Sequence, residues 1–316
     1  MPRVLVTGGT GLIGSEAVRQ LVGLGNEVTV LDNIPNLVNI EDVADSVDVI
    51  AGDITDSAFV LSLMSGKRIE RVMHLAASIH HSAVARPLAA VHTNVIATGN
   101  IFEAALAVGA ARVCVASTIA VLGGASLYPK TPVDETAPPA PAHVYGATKH
   151  LVEILTKSYR ADRGLDVTAI RPVFAYGVGR LFGGTGSVNN TIRELALGRP
   201  GVLGNIGTAD TPLQMIYVPD MAATFVAATM NETVSSPIYN SPVQGWITAV
   251  DLFDTIRTVI PGAELEFQPT LLAGYQPTPP VDGSLAQREL GVVPKWSLEE
   301  GLSDMVRFFR DQEAKK

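Results

Sequence analysis

The chain has 316 residues, 47% of them hydrophobic and 17% charged, which is enough apolar content for a sizeable core and too much for wholesale disorder. Its net charge of -8 and pI of about 5.3 argue against a nucleic-acid binder and against standing attachment to anionic membrane. The single cysteine, Cys114, excludes an internal disulfide and a thiolate metal cluster; within the apolar run Arg112–Ala116 it reads as a small buried core residue.

Met1-Pro2-Arg3 runs straight into a strand pattern, Val4–Thr7, so no leader is read there, and no uncharged apolar run is long enough for a bilayer. The expected setting is therefore the cytoplasm. A Gly-rich turn follows the first strand, then helical spacing over Leu12–Leu24 and strand patterns at Glu27–Leu31, Val47–Ala51 and Arg71–Leu75. A long helix pattern covers Ala89–Val108, followed by strand Arg112–Ala116, helix His143–Arg163 and strand Asp166–Arg171. This alternation predicts an α/β fold: a Rossmann-type, doubly wound parallel sheet with helices on both faces, formed by residues 1–172.

Beyond that point Gly and Pro become frequent, as in Gly177–Gly186 and Gln276–Pro280. Helix patterns remain at Val188–Leu197, Pro219–Met230, Ala249–Ile260 and Leu298–Arg310. Residues 173–316 are expected to form a smaller, mixed α/β substrate-binding region on the carboxyl edge of the sheet, with the chain crossing between the two parts. Thr131–Pro141 and Gln276–Pro280 read as Pro-rich surface loops.

The segment Thr7-Gly8-Gly9-Thr10-Gly11-Leu12-Ile13-Gly14 sits between a strand and a helix, the context a dinucleotide-binding loop requires. Gly8 allows the sharp turn, Gly11 the close approach of pyrophosphate, and Gly14 the packing of helix on sheet, with phosphates meeting the helix amino end. Asp32 ends the second strand, where a carboxylate accepts from the adenosine ribose hydroxyls and repels a 2′-phosphate, so NAD is expected over NADP. Asp53 and Ile54 follow the third strand, where they either flank the adenine or simply end the strand.

Tyr145 and Lys149 stand four residues apart on a predicted helix and share one face. An ammonium beside a phenol lowers its pKa and lets it serve as a base near neutral pH. Thr118 follows the fifth strand at its carboxyl end, where its hydroxyl can hold the substrate oxygen that Tyr145 deprotonates. His80 and His81 fall near the expected pocket, though adjacent histidines point in different directions. The histidines are otherwise scattered and no ligand spacing appears, so no metal site is expected.

These motifs in this order resemble the extended short-chain dehydrogenase/reductase family, the NAD-dependent epimerases and dehydratases, over nearly the whole chain. The resemblance rests on the TGGTGLIG loop, Asp32, Gly52-Asp53, His74-Leu75-Ala76-Ala77, Asn94-Val95, Ser117-Thr118, Tyr145–Lys149, Arg171-Pro172, Tyr176-Gly177 and the segment Leu290 to Leu302. It implies Tyr145 as acid/base, Lys149 as ligand of the nicotinamide ribose, and Thr118 as the third catalytic residue. It implies NAD contacts from Gly8, Gly11, Leu12, Ile13, Gly14, Asp32, Asn33, Asp53, Ile54, Leu75, Ala76, Ala77, Asn94, Tyr145 and Lys149. Ser78, His80, His81, Thr118, Phe174 and Asn189 are the candidate substrate contacts. A homodimer through a four-helix bundle, built from Ala89–Val108 and Tyr145–Arg163, is implied as well.

Departures from the family pattern narrow the chemistry. Ile119 and Ala120 follow Thr118 where the 4,6-dehydratases carry Asp-Glu, and Ala120 stands where the UDP-glucuronate decarboxylase pattern has Glu. Leu213 and Gln214 stand where an Arg that grips a diphosphate is expected, and Tyr275–Pro280 holds no second one. Arg180, Arg193 and Arg199 are the candidate substitutes. The reading is an NAD-dependent oxidoreductase moving a hydride at a secondary alcohol or ketone carbon of a small, hydroxylated, sugar-like molecule. The alternatives are a sugar-nucleotide 4-epimerase with tightly held NAD and a non-catalytic NAD-sensing protein.

Overall fold

A computed structural model of the chain describes residues 1–181, 184–271 and 276–315. The chain runs β1 (Arg3–Thr7), α1 (Leu12–Gly23), β2 (Glu27–Asp32), a 3-10 segment (Leu37–Ser46), β3 (Val47–Ala51), α2 (Ser57–Gly66) and β4 (Arg71–His74). Next come α3 (His80–Ala85), α4 (Pro87–Val91), a π turn (His92–Ile96), α5 (Ala97–Val108), β5 (Arg112–Ala116), α6 (Val144–Arg163), β6 (Val167–Arg171) and β7 (Phe174–Tyr176). The remainder is α7 (Gly184–Ala196), β8 (Gly201–Leu203), β9 (Pro212–Leu213), β10 (Met215–Tyr217), α8 (Val218–Met230), β11 (Ile238–Asn240), β12 (Ile247–Thr248), α9 (Ala249–Val259), β13 (Leu265–Phe267), α10 (Ser284–Leu290) and α11 (Leu298–Ala314).

Seven strands form one parallel sheet in the order β11-β6-β5-β4-β1-β2-β3. The alternation of side chains along each strand sends Val4, Val6, Val28 and Val30 to one face, where they pack on Val18 and Leu21 of α1 and Met221 and Phe225 of α8. Leu5, Leu31, Val72 and Val113 go to the other face, against Val60 of α2, Ile101 and Phe102 of α5, and Val152 of α6. A strand covered on both faces is apolar throughout, which is why these runs carry few polar residues. Cys114 lies fully buried in the first of these layers, where burial pushes its thiol up to about 12.

The sheet reverses direction of winding between β1 and β4, and ligands of such sheets bind above the carboxyl ends at that switch point. The seventh strand, β11, and the covering helix α8 both come from beyond residue 172. A third core, including Val188 and Ile192 of α7, Leu252 and Ile256 of α9, and Leu302 and Met305 of α11, forms the carboxyl-terminal layer.

Three differences from the pattern-based elements have local causes. The helix expected over Ala89–Val108 starts earlier, at Pro87, whose fixed φ suits a first helical turn, and it is interrupted by the π turn around Asn94. His143 is the cap of α6 rather than its first residue, its Nδ1 accepting from the Gly146 N–H at 3.1 Å. The helix α2 has no counterpart in the periodicity, because Phe59, Val60, Leu61, Leu63 and Met64 spread apolar residues around the whole helix; the Asp56 carboxylate starts it by accepting from the Phe59 N–H at 3.0 Å.

Candidate active site

The glycine loop leaves β1 and turns back under β4. Gly8 has φ +70, and a Cβ there would stand 2.8 Å from the Ala76 backbone nitrogen. A Cβ on Gly14 would stand 2.1 Å from the Gly8 carbonyl oxygen, so no other residue lets α1 approach the loop this closely. No side chain caps α1 at Gly11, which leaves the first-turn N–H groups of Leu12 and Ile13 for an anion at the positive end of the helix dipole. These observations fit a dinucleotide pyrophosphate.

Asp32 stands at the end of β2, where its Oδ2 accepts from the Thr10 hydroxyl at 2.6 Å, and Asn33 follows in an exposed position. Asp53 is exposed and accepts from the Thr55 N–H at 2.8 Å, while Ile54 is buried and its carbonyl is held by the Asn100 amide at 3.1 Å. Leu75, Ala76 and Ala77 line the crevice as half-buried residues after β4. Below them Thr7 Oγ1 and Thr98 Oγ1 flank the two nitrogens of His74 at 2.6 and 3.0 Å. Burial and the nearby Lys149 charge hold His74 down at about 3, so it is a neutral structural imidazole.

Thr118, Tyr145 and Lys149 meet above the carboxyl end of β5. The Thr118 hydroxyl oxygen accepts from the Ala120 N–H at 3.2 Å and keeps its proton and a second lone pair for the neighbouring Tyr145 phenol. Burial raises the phenol pKa, while the Thr118 hydrogen bond and the Arg180 charge lower it. The Lys149 ammonium donates instead to the Ala116 carbonyl at 2.7 Å, and burial lowers its pKa to about 8. The Lys149 ammonium thus contacts the β5 backbone, while Thr118 and Arg180 are the groups that lower the phenol pKa.

A second layer holds these residues in register. On α6, one turn beyond Lys149, Glu153 forms a bidentate pair with Arg171 of β6 at 2.7 and 2.8 Å, and it also accepts from the Ser117 hydroxyl at 2.6 Å. Both ion-pair side chains are 1% exposed.

Three further side chains border Tyr145. The His143 ring stacks on Tyr145 with centroids 6.1 Å apart and 19° between planes, and the His80 ring meets His143 edge-on at 4.3 Å. The Arg180 guanidinium lies near enough to Tyr145 that each shifts the other's proton affinity.

With this geometry in place, the profile of the NAD dependent epimerase/dehydratase family matches residues 4–240. The chain belongs to that family. It is an NAD-dependent enzyme of the extended short-chain type. A UDP-glucose 4-epimerase of Azospirillum brasilense is 30% identical over 95% of this chain and 90% of that one. The solved UDP-glucose 4-epimerase of Thermotoga maritima, with UDP-glucose, has a TM-score of 0.88 and 26% identity over 98% of this chain and 99% of that one. The Thermus thermophilus UDP-glucose 4-epimerase, in complex with NAD, has a TM-score of 0.87 and 28% identity over the same shares of the two chains.

Several residues expected at ligands in this family fold are occupied with the protein itself. Asn94 is fully buried; its oxygen accepts from the Ser78 N–H at 2.7 Å, and its nitrogen donates to the Ser78 carbonyl at 2.9 Å and to Thr148 Oγ1 at 3.0 Å. It holds the loop carrying Ser78 in place. Asn189 is likewise fully buried, accepting from the Gly177 N–H at 3.0 Å and donating to the Arg180 carbonyl at 2.9 Å, so it positions Arg180. His80 and His81 part company, as neighbours on a helix must: His80 turns to His143, and His81 is exposed. Phe174 begins β7 half-buried beside Met215 and packs on the carboxyl-terminal core. Gln214 is buried, exchanging two hydrogen bonds with the Val281 backbone at 2.9 and 2.7 Å. Tyr275 lies outside the described residues.

The sequence reading did not single out His143 at the site, although a His two residues before Tyr145, where Ser, Thr, Asp or Asn ordinarily cap a helix, was the available signal. It also passed over Asn39, whose amide donates to the Thr10 carbonyl at 2.8 Å and the Gly179 carbonyl at 3.0 Å, tying the glycine loop to the segment before Arg180.

Proposed function

We propose that the chain is an NAD-dependent dehydrogenase of a small, hydroxylated, sugar-like molecule, with Tyr145 as acid/base, Thr118 as the residue holding the reacting oxygen and Lys149 as ligand of the nicotinamide ribose. Bound NAD supplies the acceptor for the hydride. Gly8, Gly11, Leu12, Ile13 and Gly14 would hold its pyrophosphate, Asp32 and Asn33 its adenosine ribose, Asp53 and Ile54 its adenine, and Leu75, Ala76 and Ala77 its inner wall. Tyr145 takes the hydroxyl proton of the substrate, helped by the Thr118 hydrogen bond and the Arg180 charge, which both favour the phenolate.

The observation that carries the substrate reading is Gln214. It is occupied with the Val281 backbone, and Leu213 stands beside it, so the position where the family places a diphosphate-binding Arg offers no cation. Without a charge-assisted grip a nucleotide diphosphate loses much of its binding energy. The first test is NADH absorbance with NAD and a panel of free sugars, sugar acids and secondary alcohols. NADH is expected with at least one of them, and silence across the panel with interconversion of UDP-glucose and UDP-galactose would replace this reading with the epimerase one. That second reading is favoured by the 4-epimerases among the relatives and by Ile119 and Ala120, which cannot move the protons a dehydratase needs.

We further place the protein in the cytoplasm as a homodimer joined through the helical stretch Pro87–Val108, which ends in α5, and through α6. No described helix is long and apolar enough to cross a membrane. Leu88 is 79% exposed, Ile96 50%, Leu151 41% and Ile154 48%, and Leu151 and Ile154 lie on one face of α6. An exposed apolar surface of this kind marks a protein partner, and a second copy buries it by symmetry. Replacing both Leu151 and Ile154 by Lys is expected to yield a monomer by sedimentation; a dimer that survives both changes would place the interface elsewhere.

A further inference from the structure

We propose that Asn39 is a positioning residue that latches the Gly177–Arg180 segment to the glycine loop, and that this latch sets how slowly the site releases NAD. The proposal concerns the cofactor and stands whichever substrate the site takes.

The segment follows β7 and is held from two sides. On the carboxyl-terminal side, Asn189 of α7 accepts from the Gly177 N–H at 3.0 Å and donates to the Arg180 carbonyl at 2.9 Å, so the segment travels with α7. Its middle lies against the start of α1. A Cβ built on Gly179 would stand 3.5 Å from the Leu12 Cα and 3.7 Å from the Ser15 hydroxyl oxygen. The first-turn N–H groups of Leu12 and Ile13 are the ones left for an anion, so the segment borders the place that fits the pyrophosphate.

Asn39 makes the bond across. Its amide nitrogen has two hydrogens and spends both on main-chain carbonyls, that of Thr10 at 2.8 Å and that of Gly179 at 3.0 Å. The Thr10 end is firm. The Thr10 hydroxyl donates to Asp32 at 2.6 Å and accepts from the Asn36 N–H at 3.1 Å. The carbonyl of Asn39 itself receives Arg19 of α1, which is paired with Asp42 at 2.7 Å. Asn39 therefore belongs with the glycine loop and Asp32, and Gly179 belongs with α7. Both residues are half-buried, so water replaces either partner when the bond between them breaks, and the contact can open without exposing core. An interaction present only in the closed form slows departure from a crevice more than entry into it.

The test reads release directly on the full chain. NADH-loaded protein is mixed with excess NAD, and the loss of bound-NADH fluorescence gives the release rate; calorimetry on the cofactor-free chain gives the affinity for NAD. Asn39→Ala is expected to release NADH about tenfold faster and to weaken affinity in proportion, with association within about twofold of the parent, the yield of one or two lost hydrogen bonds. Asn39→Asp keeps the shape but has no donor for either carbonyl, and is expected to release at least as fast. Asn39→Gln keeps the amide on a longer stem and is expected to fall between Asn39→Ala and the parent. Hydrogen exchange on the NAD-loaded protein separates a latch from general support of the fold. In Asn39→Ala the peptide holding Gly177–Arg180 is expected to exchange faster, while the peptide holding Gly8–Gly14 keeps its protection and the melting temperature of the cofactor-free chain stays close to the parent's. A release rate within about twofold of the parent would overturn the proposal. So would protection lost equally from both peptides, or a cofactor-free chain destabilised as much as the loaded one. Circular dichroism checks folding, and Asn39→Gln carries the same readouts should Asn39→Ala fail to fold.

Discussion

Replacing Tyr145 by Phe is expected to lower kcat by about 10²–10⁴-fold, the range for loss of a general acid/base, while NAD affinity measured by calorimetry stays close to that of the parent. The expectation follows from what the phenol oxygen touches. It receives the Thr118 hydrogen bond and feels the Arg180 charge, both of which favour the ionised form, against the burial that opposes it. Phe keeps the ring and so keeps the stacking of His143 at 6.1 Å, and with it the start of α6. The glycine loop and Asp32 lie on β1, α1 and β2, so the dinucleotide cradle is untouched. Turnover that persists in Tyr145→Phe would remove Tyr145 from the acid/base role and direct attention to His143, whose ring stacks on it.

The contrast between Tyr145 and Lys149 also shows what a sequence motif carries and what it does not. Spacing of four residues on a helix placed both side chains on the inner face of α6, and the structure has them there. It did not say that the Lys149 ammonium would turn to the Ala116 carbonyl, because that partner comes from β5, far away in the chain. Asn94 and Asn189 teach the same lesson. Their partners, the Ser78 backbone for Asn94 and the Gly177 and Arg180 backbone for Asn189, come from other segments and cannot be read from spacing. The sheet itself was legible because strands covered on both faces leave continuous apolar runs, and the glycine loop was legible because only glycine tolerates the approach of Gly14 to Gly8. The helix α2 was not, since a segment apolar on every side has no stripe to read. His143 escaped notice because capping is a local role, and nothing local announces that the same ring borders the catalytic phenol.

The ion pair beneath the site supports the second large prediction. Glu153→Gln is expected to destabilise the fold by about 3–5 kcal/mol in urea unfolding, because it strands the Arg171 guanidinium without its counter-charge in the core. Both side chains are 1% exposed, and Nη1 of Arg171 has no hydrogen-bond partner among the described residues even with Glu153 present. The carboxylate is therefore the main group that compensates the buried cation. The pair as a whole need not exceed an apolar pair in stability, since the cost of desolvating two charges offsets most of their attraction. Replacing both residues together, Glu153→Leu with Arg171→Met, is accordingly expected to recover much of the loss, giving a coupling of the opposite sign from simple addition. Activity should not recover with it. Glu153 also accepts from Ser117, the residue before Thr118, and sits one turn from Lys149, so it ties the end of β5 to α6 and β6 at the level of the chemistry. The apolar pair would restore the core and leave Thr118 and Lys149 less firmly aligned, read as a lower kcat at near-parental stability. A Glu153→Gln protein within about 1 kcal/mol of the parent, or a double variant with full kcat, would show that packing alone sets the register of the site.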